Sequence, residues 1–264
     1  ITAKLLAKTM DVGFSRIQFT PDLVPSDILG TSIYDLKKSE FEFKKGPIFS
    51  NLILIDEINR APAKTQAALF EVMEERQITI DGKVFVLETP FLVIATQNPI
   101  EQEGTYRLPE AQLDRFLFKI TIDYPNLEEE IEIIQREHLL KNKNKLDNIK
   151  TILSSSSIKD YQNIVKQIVV EQNLLEFIAK IVINTRENPF LYLGASPRAS
   201  IAILNAAKGF AAIRGRDFVT PEDIKAAAIP VLRHRVIVTP EREMEGISSV
   251  EIIKQILDKV EIPR

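Results

Sequence analysis

The chain has no cysteine and no tryptophan, and only two histidines, His138 and His234, occur among its 264 residues. The absence of cysteine excludes a disulfide framework and a thiolate site, and two distant histidines are a poor basis for a zinc centre. We interpret both histidines as partners of helix C-terminal dipoles rather than as ligands. The sequence also shows neither an apolar run of membrane-spanning length nor a signal peptide, so we expect a cytoplasmic location.

The sequence also lacks a large net charge. The 34 Lys and Arg residues nearly balance the 37 Asp and Glu residues, which gives a formal net charge of -3. This balance provides no general attraction to nucleic-acid backbones or anionic membranes, and we expect neither as a partner. The apolar fraction of 45% is enough for a sizeable core in one large or two ordinary domains.

The most informative stretch is a run of four aliphatic residues, 52–55, followed directly by Asp56 and Glu57. It predicts a strand buried on both faces, whose carboxylates emerge at its C-terminal end, where open α/β sheets bind ligands. A site that hydrolyses a nucleotide uses two such groups. Asp56 would hold Mg²⁺ through water, and Glu57 would orient or deprotonate the attacking water. Such a strand is also common in α/β proteins of other function, so further segments are needed.

A second apolar run, 91–95, is followed by Thr96, Gln97, Asn98 and Pro99. It predicts a second buried strand that ends in polar side chains. The Asn98 amide is suited to hydrogen-bond a γ-phosphate or the lytic water without adding charge. The alternative role of Asn98 is that of a turn former ahead of a proline.

Two hairpins and a short helix complete the N-terminal half. The hairpins are predicted at 31–43 and at 78–87, the second around the type I′ turn pair Asp81-Gly82. Residues 109–116 predict a short helix that contains Arg115, for which an ion pair with Asp114 is the ordinary role. Residues 117–122 alternate in polarity and predict a strand.

The C-terminal half predicts helices at 127–140, 174–187, 197–214, 221–233 and 248–260, with a polar, mobile connection at 141–157. We therefore divide the chain into an α/β core, 1–125, and a helical domain, 126–264. Arg198 is the second residue of the helix from Pro197, where its guanidinium could reach a phosphate across an interdomain cleft. The alternative is a surface arginine without a function, which the positive end of the helix dipole disfavours at the start of a helix.

These residues together resemble the MoxR family of AAA+ ATPases. The matching stretches are FTPDLVPSD at 19–27, DEINRA at 56–61, ATQNPIEQEGT at 95–105, LPEAQLDRF at 108–116, GASPRA at 194–199 and VTPED at 219–223. The resemblance covers nearly the whole chain apart from 141–160. It implies an α/β fold, an AAA+ P-loop core with a parallel sheet that is truncated here at the N-terminus, plus an all-α helical lid.

The resemblance also implies a role for each site residue. Asp56 and Glu57 would form the Walker B pair, Asn98 would be sensor 1, Arg115 the arginine finger and Arg198 sensor 2. It implies ATP and Mg²⁺ as cofactors, a homo-hexamer, and protein clients that often contain a von Willebrand factor A domain. The two hairpins resemble the insert in helix 2 and the hairpin before the sensor 1 strand, which face the central pore in related ring ATPases.

One departure from the family concerns the phosphate-binding loop, because no G-x-x-x-x-G-K-[ST] motif occurs in these 264 residues. The resemblance places Ile1 just after that motif, so we expect the P-loop to precede it and these residues alone to be inactive. Two alternatives to a MoxR-type ATPase remain open. One is a nucleotide-independent interaction module, and the other is a magnesium-chelatase-like or nucleic-acid motor subunit, which the charge balance disfavours.

Overall fold

The computed structural model describes residues 1–97, 106, 108–139 and 149–262. The first elements are α1 (Thr2–Thr9), β1 (Phe14–Gln18), α2 (Pro25–Leu29), β2 (Gly30–Asp35), β3 (Glu40–Lys45), β4 (Leu52–Asp56), α3 (Ala63–Glu75), β5 (Gln77–Ile80), β6 (Lys83–Val86) and β7 (Leu92–Ala95). They are followed by α4 (Glu110–Leu113), α5 (Leu127–Leu139), α6 (Ser155–Gln167), α7 (Gln172–Glu187), β8 (Leu191–Leu193), α8 (Pro197–Ile213), α9 (Pro221–Leu232), β9 (Ile237–Val238), α10 (Pro240–Met244) and α11 (Ser249–Lys259).

The described residues form two compact units. The sheet unit comprises those of 1–106 and 121–159, and the helical unit comprises those of 107–120 and 160–264. The sequence predicts a single division after residue 125, whereas residues 108–120 cluster with the helices of the second unit. Within the described ranges, no helix is long and apolar enough to cross a membrane.

The sheet unit is built on three parallel strands in the order β1-β4-β7. The central strand β4 has Leu52, Ile53 and Ile55 fully buried, as a run of aliphatic residues in a parallel sheet requires. Small residues of α1, Ala3 and Ala7, pack against Leu52 and bring the helix close to the sheet. The predicted parallel α/β core is therefore confirmed, and the carboxyl ends of its strands meet at one edge.

Both predicted hairpins form, β2 with β3 and β5 with β6. The second turns through Asp81 and Gly82, whose φ angles of 51° and 74° are those of a type I′ turn. The hairpins also contact each other, since the rings of Phe43 and Phe85 lie 4.6 Å apart between centroids. Two segments that are distant in sequence thus share one aromatic cluster.

The helical unit buries the facing sides of α7, α8, α9 and α11, with Phe177, Ile181, Ile203 and Ile224 among its most buried side chains. Three of them begin directly after a serine or threonine at the N-cap position, α8 after Ser196, α9 after Thr220 and α11 after Ser248. At α11, for example, the Ser248 amide donates to Glu251 Oε2 at 2.7 Å and the Glu251 amide donates to Ser248 Oγ at 3.3 Å. The predicted helical lid is confirmed as a fold.

Two local predictions are wrong. Residues 117–122 do not form a strand, because no described strand pairs with them, and Ile120 and Ile122 are 77% and 90% exposed. The predicted polar connection ends early, because residues 155–157 are the first turn of α6. The Ser157 amide donates to Ser154 Oγ at 3.1 Å, so the serines cap a helix there. Residues 141–148 of that connection lie outside the described residues.

The start of α8, which contains Arg198, is fixed to the end of α7. The Ala195 amide donates to Thr185 Oγ1 at 2.9 Å, and Arg186 Nε donates to the Ala195 carbonyl at 2.8 Å. Gly194 permits this approach, because a Cβ there would lie 2.6 Å from the Arg186 Cα. A side chain at residue 194 would push the two helices apart.

We therefore expect Gly194→Ala to lower the free energy of unfolding by roughly 1–3 kcal/mol, the usual cost of overpacking. Gly209→Ala is the matched control, since a Cβ at Gly209 in the interior of α8 would have no atom within 4 Å. That change should raise the stability by about 0.5–1 kcal/mol through helix propensity. Urea denaturation of both variants measures the difference, and equal effects would contradict the close approach.

Candidate functional site

The carboxylates of Asp56 and Glu57 lie at the carboxyl end of β4 and have different partners. Asp56 Oδ2 accepts a hydrogen bond from Arg16 Nε at 2.6 Å, and its Oδ1 accepts one from Thr96 Oγ1 at 3.2 Å. Glu57 Oε2 accepts a hydrogen bond from Gln18 Nε2 at 3.1 Å and forms an ion pair with Arg60, whose Nε lies 2.9 Å away. The sheet brings these groups together because β1 and β7 flank β4 and end beside it.

The backbone of Glu57 adopts the left-handed conformation, with φ 56° and ψ 51°. This conformation is uncommon for a residue with a side chain and persists where the surroundings hold it. Thr96 supplies the contacts, because its Oγ1 accepts from the Glu57 amide at 3.1 Å and its carbonyl accepts from the Ile58 amide at 3.0 Å. The chain therefore leaves the direction of β4 directly after Asp56.

The two predicted arginines belong to the helical unit. Arg115 follows Asp114, the C-cap residue of α4, and is partly buried, whereas Arg198 is exposed at the second position of α8. The cap residue Ser196 lies between their segments. Its Oγ accepts from the Arg198 amide at 3.2 Å and donates to Asp114 Oδ2 at 2.7 Å. Asn98, the predicted sensor 1, lies outside the described residues.

Comparison with known proteins assigns the family. The family model described as "ATPase family associated with various cellular activities (AAA)" matches residues 1–118, and an AAA lid domain model matches residues 183–256. Chaperone MoxR1 of Mycobacterium tuberculosis is 44% identical over 273 residues, which cover 100% of this chain and 71% of MoxR1. The chain belongs to the MoxR family of AAA+ ATPases.

Two further similarities agree with membership of the MoxR family. The uncharacterized protein YeaC of Bacillus subtilis is 44% identical over 260 residues, or 98% of this chain and 80% of YeaC. The crystal structure of a predicted ATPase from Cytophaga hutchinsonii is 46% identical and superposes with a TM-score of 0.91, covering 100% of this chain and 82% of that one. The resemblance inferred from the sequence motifs is thereby confirmed.

The carboxyl edge of this MoxR sheet has suitable ligands for Mg²⁺. Among the described residues there is no cluster of three or more acidic or histidine side chains that could enclose a metal ion. Magnesium in nucleotide sites is usually held by one or two carboxylates together with water and phosphate oxygens. Asp56 fits this mode, because each carboxylate oxygen has a further lone pair and its partner Arg16 is 66% exposed and only weakly held.

Several contacts within each of the two units were not anticipated from the sequence. Three of the residues involved lie at or near the carboxyl ends of β7 and β1: Thr96, Arg16 and Gln18. Their position at the end of a strand was the sequence feature that could have identified them as site residues. Arg235 pairs with Asp114 across 121 residues of sequence, with 2.7 Å between Nε and Oδ1. Neither residue is marked by a local pattern as a partner of the other.

His234 has a different role from the one predicted. It is 9% exposed, and its Nε2 lies 2.9 Å from the Phe116 carbonyl, which can only accept, so Nε2 bears the proton. The buried Nδ1 has no hydrogen-bond partner in the described part of the chain. Burial, and next the charge of Arg235, lower the pKa of His234 to about 4. His234 is therefore neutral at pH 7 and is not a cationic partner of the α9 dipole.

This shift makes the stability of the fold depend on pH. Between pH 6.5 and 4 the unfolded chain binds a proton at His234 and the folded chain does not, so stability falls as the pH is lowered through this window. The full loss is about 3 kcal/mol for a shift of this size. His234→Gln should remove this part of the pH dependence, measured as the free energy of unfolding at pH 7, 5.5 and 4.

The matched control is His138→Gln, because His138 is exposed near the end of α5. It should reproduce the wild-type profile, including the contributions of the carboxylates. A His234→Gln profile that runs parallel to the wild-type profile would show that His234 does not contribute.

Proposed function

We propose that this MoxR chain couples ATP binding and hydrolysis to chaperone-like remodelling or activation of partner proteins. The observation that supports this most directly is the pair of carboxylates at the carboxyl end of β4. Asp56 and Glu57 are adjacent in sequence but have separate hydrogen-bond partners, so each is available for a distinct task. A nucleotide hydrolase needs one carboxylate near its metal ion and one near its water.

Asp56 would hold Mg²⁺ through water, and the bound metal would neutralise charge on the nucleotide phosphates. Glu57 would accept the proton of the attacking water, or orient that water, from a carboxylate that Gln18 and Arg60 hold in place. Asn98 would hydrogen-bond the γ-phosphate or the same water. The P-loop motif does not occur in these 264 residues, so tests of activity use a chain that carries a P-loop segment.

Two arginines would complete the site in a homo-hexameric ring. Arg115 would reach the nucleotide of the neighbouring subunit, and Arg198 would contact the phosphates bound to its own chain. The chaperone name of the relative MoxR1 supports protein clients, and the family resemblance favours clients with a von Willebrand factor A domain. Positive charge on Arg115 and Arg198 is what a phosphate-rich transition state requires.

Glu57→Gln should leave ATP binding intact and lower turnover by a factor on the order of 10² or more, because an amide cannot accept the proton of the water. Equilibrium binding of a fluorescent ATP analogue and steady-state phosphate release measure the two quantities. Glu71→Gln is the matched control, since Glu71 is an exposed glutamate on α3. Wild-type turnover in Glu57→Gln would contradict the role of Glu57, and absence of ATP binding in the wild type would favour the nucleotide-independent module.

Arg115→Ala should abolish hydrolysis in homogeneous rings because the transition-state charge is then not neutralised from the neighbour. A mixture with the Glu57→Gln chain should regain hydrolysis, since some interfaces combine an intact site with an intact Arg115. Phosphate release as a function of the mixing ratio measures the recovery. Mixed rings that form but show no recovery would contradict action between subunits.

A further inference from the structure

Arg235 is a buried arginine of the helical unit whose guanidinium makes hydrogen bonds through all three of its nitrogen atoms. Its side chain is only 3% exposed and pairs with the Asp114 carboxylate at 2.7 Å. It also donates to four main-chain carbonyl oxygens: Asp114 at 2.8 Å, Phe116 at 2.6 Å, Leu117 at 3.1 Å and Val231 at 2.5 Å. Three of these four carbonyls belong to the short segment 114–119.

The anchored residues lie on both sides of Arg115. Asp114 precedes it and is held through side chain and carbonyl, while Phe116 and Leu117 follow it. The Phe116 carbonyl receives a second hydrogen bond from His234 Nε2 at 2.9 Å. Further along, the Lys119 amide donates to the Pro230 carbonyl at 3.0 Å, so the segment follows the C-terminal end of α9.

The second oxygen of Asp114 joins this arrangement to the start of α8. Ser196 Oγ donates to Asp114 Oδ2 at 2.7 Å, while Arg235 occupies Oδ1. The carboxylate is 14% exposed, so water screens these bonds little. Because the guanidinium is planar and has five N–H groups in a fixed fork, its contacts determine both the position and the orientation of the segment.

We propose that Arg235 is a positioning residue for hydrolysis, which fixes the backbone on both sides of Arg115 and so determines where Arg115 is presented to the neighbouring subunit. The inference rests on the proposed function, in which Arg115 acts on a neighbour's nucleotide. It adds that the buried guanidinium of Arg235, which is remote in sequence, sets the position of the partly buried Arg115. Electrostatic stabilisation of a transition state depends on such preorganisation, and a displacement of about 1 Å can cost on the order of 10²-fold in rate.

Arg235→Lys is the variant that tests this. Lysine keeps the positive charge beside Asp114, so the fold should survive, but its three donors on a flexible stem cannot reproduce the fork. The change is placed in one of two chains that are then mixed. The first carries Glu57→Gln and supplies Arg115, and the second carries Arg115→Ala and supplies the intact Walker B pair.

If Arg235 positions Arg115, the change should lower hydrolysis by roughly tenfold or more when it is in the Glu57→Gln chain, which supplies the arginine. It should have a much smaller effect in the Arg115→Ala chain, whose residue 115 is already alanine. A general structural defect would lower hydrolysis to a similar extent whichever chain carries the change. Ring assembly is checked for each mixture by size-exclusion chromatography with light scattering, and folding by thermal unfolding.

Arg216→Gln is the matched control. Arg216 pairs with the buried carboxylate of Asp223 at 2.8 Å in the same unit but makes no contact with residues 114–119 in the described structure. It should lower hydrolysis equally in either chain or not at all. Should Arg235→Lys retain full activity, Arg235→Gln extends the test, since it removes the charge as well.

The outcomes separate the two levels of the argument. Two results would overturn the positioning role, provided that the unmodified mixture is active. One is an equal loss of hydrolysis whichever chain carries the change. The other is full hydrolysis both with Arg235→Lys and with Arg235→Gln in the chain that supplies Arg115. Absence of hydrolysis in the unmodified mixture would overturn the action of Arg115 between subunits and the positioning role together. A loss confined to the chain that supplies Arg115 would establish that role.

Discussion

The parallel register of three strands is the constraint on which the sheet unit depends. Gln18 lies opposite Asp56 and Ile55 lies opposite Ala95, so all three strands end at nearly the same level. A slip of one residue in β1 or β7 would turn its side chains to the opposite face of the sheet, so the packing of these side chains fixes the register. The polar residues that follow each strand therefore converge, and a site forms from segments about 40 residues apart.

Local signals explain why much of this fold could be predicted from the sequence. Runs of aliphatic residues predict β4 and β7, the pair Asp81-Gly82 predicts the second hairpin, and Ser248 as a cap predicts the start of α11. In each case the signal itself lies within a few consecutive residues. The Walker B strand is the clearest example, since burial, direction and polar ending are all contained in residues 52–57.

The features that could not be predicted are those that depend on distant partners. The pattern of residues 117–122 favours a strand, but a strand also needs a neighbour, and here the Lys119 amide bonds the end of α9. The ion pair of Asp114 with Arg235 has no local signature either. Periodicity indicates which residues face a core and does not indicate which buried charges meet, so the pairing is visible only in three dimensions.

The turn at Glu57 shows how the sheet maintains two carboxylates side by side. The left-handed backbone at Glu57 redirects the chain, and Thr96 offsets the conformational cost by accepting from the Glu57 amide and donating to Asp56 Oδ1. A single hydroxyl at the end of β7 thus bonds both residues of the pair. Because a hydroxyl can donate and accept at once, Thr96 stabilises the strained turn and the carboxylate beside it, which an aliphatic side chain of the same size would not do.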